Sequence, residues 1–219
     1  MATSRINLIP PEKATPRSGR IPVGRASRWW SPHEANGHES TVSVFISPRA
    51  FVRLCAHAGS DLDNEVGGWL IGKWRADRQT GEQFIVIEHS LPARQTRQGS
   101  AYLTFTQDSQ VALYNEVQER YPEKDVVGWY HTHPRMGVFL SEFDTFLHCN
   151  FFPQAHQVAL VVEPHSASGG FFIRGSDGVL DPRRYFGFYE LNNGRRSVVH
   201  WRNLLSDAER MRVIGGIGL

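Results

Sequence analysis

Apolar positions in this chain of 219 residues come in short bursts separated by turn-forming residues, not in long blocks. Residues 41–46 are dense in β-branched and aromatic side chains and predict a strand. Ser47 and Pro48 then form an N-cap and first-turn pair, so the pattern predicts a helix to about residue 58. Residues 65–74 predict a second strand carrying several glycines, and residues 83–91 a third with clean alternation. Residues 92–100 predict an exposed loop and residues 101–105 a short strand. Asp108 and Ser109 cap a predicted helix to about residue 120. Residues 125–133 and 158–163 predict strands, residues 171–174 and 185–191 an edge, and residues 206–219 a short helix with a Gly-rich tail. Strands and helices are mixed, which places the chain in the α/β (α+β) class, with helices packed on a curved central β-sheet.

Composition divides the chain. Residues 1–40 contain Pro10, Pro11, Pro16, Pro22 and Pro32 among Arg, Gly and Ser. Such a stretch buries too little apolar surface to offset its ordering entropy, so it predicts a disordered basic arm, with Trp29 and Trp30 as its means of docking. The folded domain is expected over residues 41–191 and a C-terminal extension over 192–219. A hydrophobic share of 40% and a charged share of 21% are those of a globular domain. The net charge of +2, without a stacking motif or recognition helix, gives no ground for a nucleic-acid partner. No apolar run reaches the roughly 20 residues of a membrane span, and no secretory h-region is visible. Cys55 and Cys149 lie in apolar surroundings and are expected to be buried thiols, which suits a reducing cytoplasm.

The chemistry concentrates in Gly128-Trp129-Tyr130-His131-Thr132-His133-Pro134 and the following Ser141-Glu142-Phe143-Asp144. On a strand, residues i and i+2 share a face, so His131 and His133 project together. Pro134 keeps His133 extended. Ser141 is expected as the N-cap of a helix and Asp144 as its N3 residue, which aims the first helical turn back at the strand end. Two imidazoles and one carboxylate are three zinc ligands, and a zinc site with three protein ligands keeps its last position open for chemistry. Hydrolysis at such a site also needs a proton-carrying base and a donor for the developing oxyanion. Ser141 is placed to be that donor, while the base must come from elsewhere in the chain.

These residues resemble the signature of the JAMM (MPN+, JAB) metalloproteases. His131-x-His133, seven residues, then Ser141-x-x-Asp144 matches the family's order and spacing. The upstream Glu65-Val66-Gly67-Gly68-Trp69-Leu70-Ile71-Gly72 resembles its Glu-x-x-Gly-x-Leu-x-Gly strand. The segment from Gly128 to Pro134 is similar to the active-site strand of proteasome-lid and signalosome members, and Asn150-Phe151-Phe152-Pro153 looks closer to compact prokaryotic ones. The resemblance implies the MPN/JAB fold, which is cytidine-deaminase-like. It also implies one Zn2+ held by His131, His133 and Asp144, with Glu65 as general acid/base and Ser141 stabilising the oxyanion. The implied activity is cleavage of isopeptide or peptide bonds after the C-terminus of ubiquitin or a ubiquitin-like protein. Two alternatives share the sequence features: a peptidase trimming a ubiquitin-like precursor, and an inactive scaffold that binds partners.

Outside the motif, Arg94 and Arg97 in the predicted loop are candidates for gripping an acidic substrate patch. Trp129 shares the strand face of the two histidines and is expected to pack in the core. The remaining histidines lack paired spacing and are expected in structural or surface roles.

Overall fold

The computed structural model describes residues 15–36, 40–93, 96–97, 104–105 and 107–216. Along the chain, β1 (Arg17–Gly19) and β2 (Ser27–Trp30) precede β3 (Ser43–Ile46) and helix α1 (Pro48–Ala58). The long strands β4 (Gly67–Asp77) and β5 (Gln83–Pro92) follow, then the two-residue strands β6 (Thr96–Arg97) and β7 (Thr104–Phe105) and helix α2 (Gln107–Arg120). Next come β8 (Asp125–Thr132), α3 (Glu142–Phe151), β9 (Val158–Glu163) and β10 (Ser168–Phe172). The chain continues through β11 (Phe188–Glu190) and β12 (Leu205–Ser206) to α4 (Asp207–Gly216).

Ten strands form one curved mixed sheet in the order β10-β9-β8-β4-β5-β3-β11-β2-β12, with β1 added beside β4. The pairs β8–β9, β3–β5, β3–β11 and β1–β4 are parallel and the others antiparallel. With its flanking helices this is the expected MPN/JAB architecture. β9 is buried at all six positions, as a strand covered on both faces must be. Ser47 caps α1 by accepting from the Ala50 N–H, and the helix turns Ala50, Phe51, Leu54 and Ala58 into the core. There Phe51 meets Trp201 at a ring separation of 5.0 Å.

The arm expected over residues 1–40 is, in its described part, built into the sheet. β1 pairs with β4 from Arg75 to Asp77, where β8 no longer covers that edge. β2 pairs with both β11 and β12. Composition overlooks this because the gain comes from backbone pairing and a few specific anchors. Arg28 pairs with Glu34 and lies over the Trp30 and Tyr189 rings, and Glu34 also accepts from the Ser31 and Gly187 N–H groups. The C-terminal flank behaves likewise: Trp201 and Leu204 are core residues. The boundaries expected at residues 41 and 191 therefore cut through one sheet. The predicted edge over 185–191 is an interior strand, β11, covered on its outer side by β2. The predicted loop over 92–100 contains β6, which pairs antiparallel with β7. Arg94 lies outside the described residues. Cys149 is exposed, contrary to expectation, because α3 turns Leu147 and His148 inward and leaves the next residue outside.

Two buried histidines, His148 on α3 and His156 in the turn before β9, carry a pH signature. Burial pushes His148 down to about 3 and His156 down to about 4, with the Arg174 guanidinium adding to both shifts. His156 lies flat on Trp74 with ring centroids 3.8 Å apart. The unfolded chain takes up these protons near pH 6.5, whereas the folded chain does so only below about 4. Stability that is complete above pH 6.5 is therefore lost as pH falls, at roughly 1.4 kcal/mol per pH unit for each ring. Thermal unfolding followed from pH 7 to pH 5 is expected to show this slope, and His156→Gln to flatten it by about half.

Candidate metal centre

β8 is held on both edges, by β4 antiparallel and by β9 parallel. Gly128 makes the second pairing close: a Cβ there would lie 2.1 Å from the Val158 carbonyl oxygen, at a φ of +158°. On one face of β8 the row Trp129, His131, His133 is fully buried or nearly so. His131 lies flat against Trp129, with ring centroids 4.6 Å apart and planes 9° from parallel. Trp129 in turn donates from its indole N–H to Nδ1 of His148, 3.1 Å away on α3. His133 leans on Phe139 at 4.8 Å, and its backbone N–H donates to the Val162 carbonyl at 2.9 Å.

Asp144 reaches the same point from α3. Ser141 is the N-cap, and the capping box is complete. The Asp144 N–H donates to Ser141 Oγ at 3.1 Å, while the Ser141 N–H and hydroxyl both donate to Asp144 Oδ2, at 2.8 and 2.6 Å. The Leu140 N–H donates to the Pro182 carbonyl at 2.8 Å and pins the residue before the cap. Thus one local motif starts the helix and orients the carboxylate.

His131 Nε2 and His133 Nε2 are 2.9 Å apart. Asp144 Oδ1 is 3.3 Å from the first and Oδ2 3.4 Å from the second. A tetrahedral zinc ion with ligands at 2.0–2.2 Å spaces their donor atoms about 3.3 Å apart. The three donors thus stand where one such ion needs them, and the fit is that of a single-ion site. Burial pushes Asp144 up, but attraction to His131 and hydrogen bonds from His131, His133 and Ser141 outweigh it and hold the carboxyl well below the usual range. The outer Nδ1 atoms of His131 and His133 are buried without a hydrogen-bond partner among the described residues. Metal-bound histidines usually fix their orientation through that nitrogen. Here ring stacking on Trp129 and contact with Phe139 take its place.

Glu65, also buried, stands at the rim. Its Oε1 is 3.9 Å from His133 Nε2. Val66, the next residue, is locked to β8: its N–H donates to Thr132 Oγ1 at 2.9 Å and its carbonyl accepts from the Thr132 N–H at 2.8 Å. All five residues singled out from sequence (Glu65, His131, His133, Ser141 and Asp144) therefore meet in one place. The Ser141 hydroxyl points to Asp144 in this arrangement. Two contributors escaped the sequence reading. His148 carried a signal, lying four residues after Asp144 on the inward face of α3. Glu163, at the end of β9, had only the turn-forming Pro164-His165-Ser166 after it.

A family model described as "JAB1/Mov34/MPN/PAD-1 ubiquitin protease" matches residues 39–155, more than half of the chain and all five site residues. The chain belongs to this family. As a member of the JAB1/Mov34/MPN/PAD-1 family it is 23% identical over 154 residues to the 26S proteasome non-ATPase regulatory subunit 14 of Caenorhabditis elegans, covering 70% of this chain and 48% of that protein. It is 29% identical over 161 residues to COP9 signalosome complex subunit 5 of Candida glabrata, covering 68% and 33%. Against the ubiquitin carboxyl-terminal hydrolase RPN11 of Saccharomyces cerevisiae it is 27% identical over 123 residues, covering 56% and 39%. The chain spans less than half the length of each of these relatives. It carries the JAMM-type His131-x-His133 and Asp144 motif of the family's metalloproteases.

The double role of the capping box is testable. Asp144→Ala is expected to abolish stoichiometric zinc binding. Ser141→Ala is expected to weaken zinc binding about 10–100-fold and to lower stability by about 1 kcal/mol through the lost cap. Zinc titration calorimetry and thermal unfolding of the two variants check both, and wild-type zinc affinity in Ser141→Ala would show that its hydroxyl does not orient Asp144.

Proposed function

We propose that this chain is a zinc-dependent metallopeptidase that hydrolyses the isopeptide or peptide bond after the C-terminus of ubiquitin or a ubiquitin-like protein. The carrying observation is the convergence of two imidazoles and an ionised carboxylate, with a second buried carboxylate 3.9 Å from one of the imidazoles. His131, His133 and Asp144 would hold the ion. When bound, zinc polarises the scissile carbonyl and lowers the pKa of a coordinated water to about 7.

The chain's own residues supply the rest. Glu65 takes the proton from the attacking water and returns it to the leaving nitrogen. Its carboxylate, 3.9 Å from the His133 ligand nitrogen, stands close enough to the ligand set for one water to lie between them. Ser141 donates to the carbonyl oxygen as negative charge builds there, exchanging its hydroxyl bond to Asp144 for one to the substrate. The Ser141 N–H meanwhile keeps its bond to Asp144. Trp129 and Phe139 wall the imidazoles against solvent. The β6–β7 pair follows β5 directly and offers backbone groups to an extended substrate tail, the mode in which a peptide adds a strand. The names of two relatives, a ubiquitin carboxyl-terminal hydrolase and a proteasome regulatory subunit, support the substrate class.

Glu65→Gln is expected to lower kcat by two to four orders of magnitude while zinc content stays at one ion per chain. Metal analysis beside kinetics on a ubiquitin-like fusion reads both quantities. Full activity in this variant would remove Glu65 from the proton path. Offering a lysine-linked conjugate and a linear C-terminal extension side by side separates deconjugation from precursor trimming. Stoichiometric zinc without turnover on either substrate would instead mark a binding scaffold.

A further inference from the structure

The segment that delivers Glu65 is a loop, and a loop alone does not hold a base in place. On its C-terminal side the loop is fixed by the bonds between Val66 and Thr132. Internally it is braced by Asp61, whose carboxylate accepts from the N–H groups of Asp63 and Asn64 at 3.0 and 2.9 Å. Two further bonds tie the loop to elements beyond it. His165 Nε2 pairs with the Leu62 carbonyl at 2.8 Å, and the Arg135 guanidinium donates to Asp63 at 3.1 Å.

Both tethers start from residues held by one carboxylate. Glu163 ends β9 and is 4% exposed. Its Oε1 accepts from the N–H of Arg135 at 3.1 Å and of His165 at 3.0 Å, and its Oε2 accepts from the Ser166 N–H at 2.7 Å. Arg135 adopts a φ of +60°, a conformation that a non-glycine residue holds only with such support. The Arg135–Asp63 ion pair is solvent-exposed on both sides and would order little by itself. What distinguishes the arrangement is the common origin: the segment after His133 and the turn after β9 are set by the same three N–H bonds, and each then contacts the Glu65 loop.

We infer that Glu163 is a positioning residue for Glu65, acting through His165 and Arg135 to clamp loop 59–65 against the metal-binding strand. This rests on the proposed role of Glu65 as the base. A reacting group displaced by about 1 Å can lose a hundredfold in rate. Loss of the clamp should therefore appear in kcat and leave zinc and KM alone, because His131, His133, Asp144 and the β6–β7 edge lie outside it.

The test uses the full zinc-loaded chain with Glu163→Gln, His165→Ala and, in parallel, Glu65→Gln. His165→Ala cuts a single exposed tether and keeps the experiment informative if Glu163→Gln does not fold. In His165→Ala, amide exchange at Asp63 and Asn64 is expected to speed up about tenfold, with kcat on a ubiquitin-like fusion falling 10- to 100-fold at unchanged KM and unchanged zinc affinity. Unchanged exchange overturns the clamp, and so does faster exchange with unchanged kcat while Glu65→Gln is inactive. A parallel loss of zinc affinity also overturns it, since Glu163 would then be supporting the ligand strand. If Glu65→Gln keeps its activity, the base assignment is what has failed, and the exchange rates alone judge the clamp.

Discussion

Everything at the centre depends on β8 being hydrogen-bonded along both edges. A strand so held cannot slide, because a shift of one residue would turn every side chain to the opposite face. With β4 on one side and β9 on the other, the direction in which His131 and His133 project is decided by backbone pairing before any metal is considered. The glycine at 128 lets the Val158 carbonyl approach to a distance that any side chain would forbid. The third ligand comes from a different element, but its freedom is equally small. The cap that begins α3 is the same set of hydrogen bonds that aims Asp144. Two independent local rules, strand alternation and helix capping, thus meet at one point in space.

That economy explains why the site was easier to read in the sequence than the fold around it. His131 and His133 declared themselves by a spacing of two on an apolar strand, and Ser141 and Asp144 by the spacing of a capping pair. Glu65 could be named only through family likeness, since nothing local marks a loop carboxylate as a base. The long strands and α1 were legible from periodicity and from Ser47-Pro48. Of the sheet's far half only β11 was, and only as an edge. β1, β2 and β12 are two to four residues each, too short for a periodic signal, and they are stabilised by partners distant in the chain. Trp29 and Glu190, joined by a hydrogen bond between side chains, stand 161 residues apart. Glu163 was hidden for a related reason, because it acts through backbone N–H groups that every sequence possesses.

The buried polar groups at the centre are held in two ways. His131, His133, Asp144 and His148 are all buried; the histidines lie against aromatic rings, while Asp144 is held by hydrogen bonds. A ring held by stacking can slide in its own plane while staying parallel, whereas a ring held by a hydrogen bond cannot. The ligand set therefore combines the capped, hydrogen-bonded Asp144 with a stacked His131 and a His133 tilted against Phe139.

The placement of β2 has a bearing on how this molecule is made. β2 is synthesised well before its two neighbours, β11 and β12. The strands β4, β5, β8, β9 and β10 pair with one another within residues 67–172, so the ligand-bearing half can close first. Until the last strands arrive, the ribbon containing Trp29 and Trp30 is an unpaired border, open to wrong association with other nascent chains. Closing that border, unlike pairing of the histidine strand, has to join segments more than 150 residues apart.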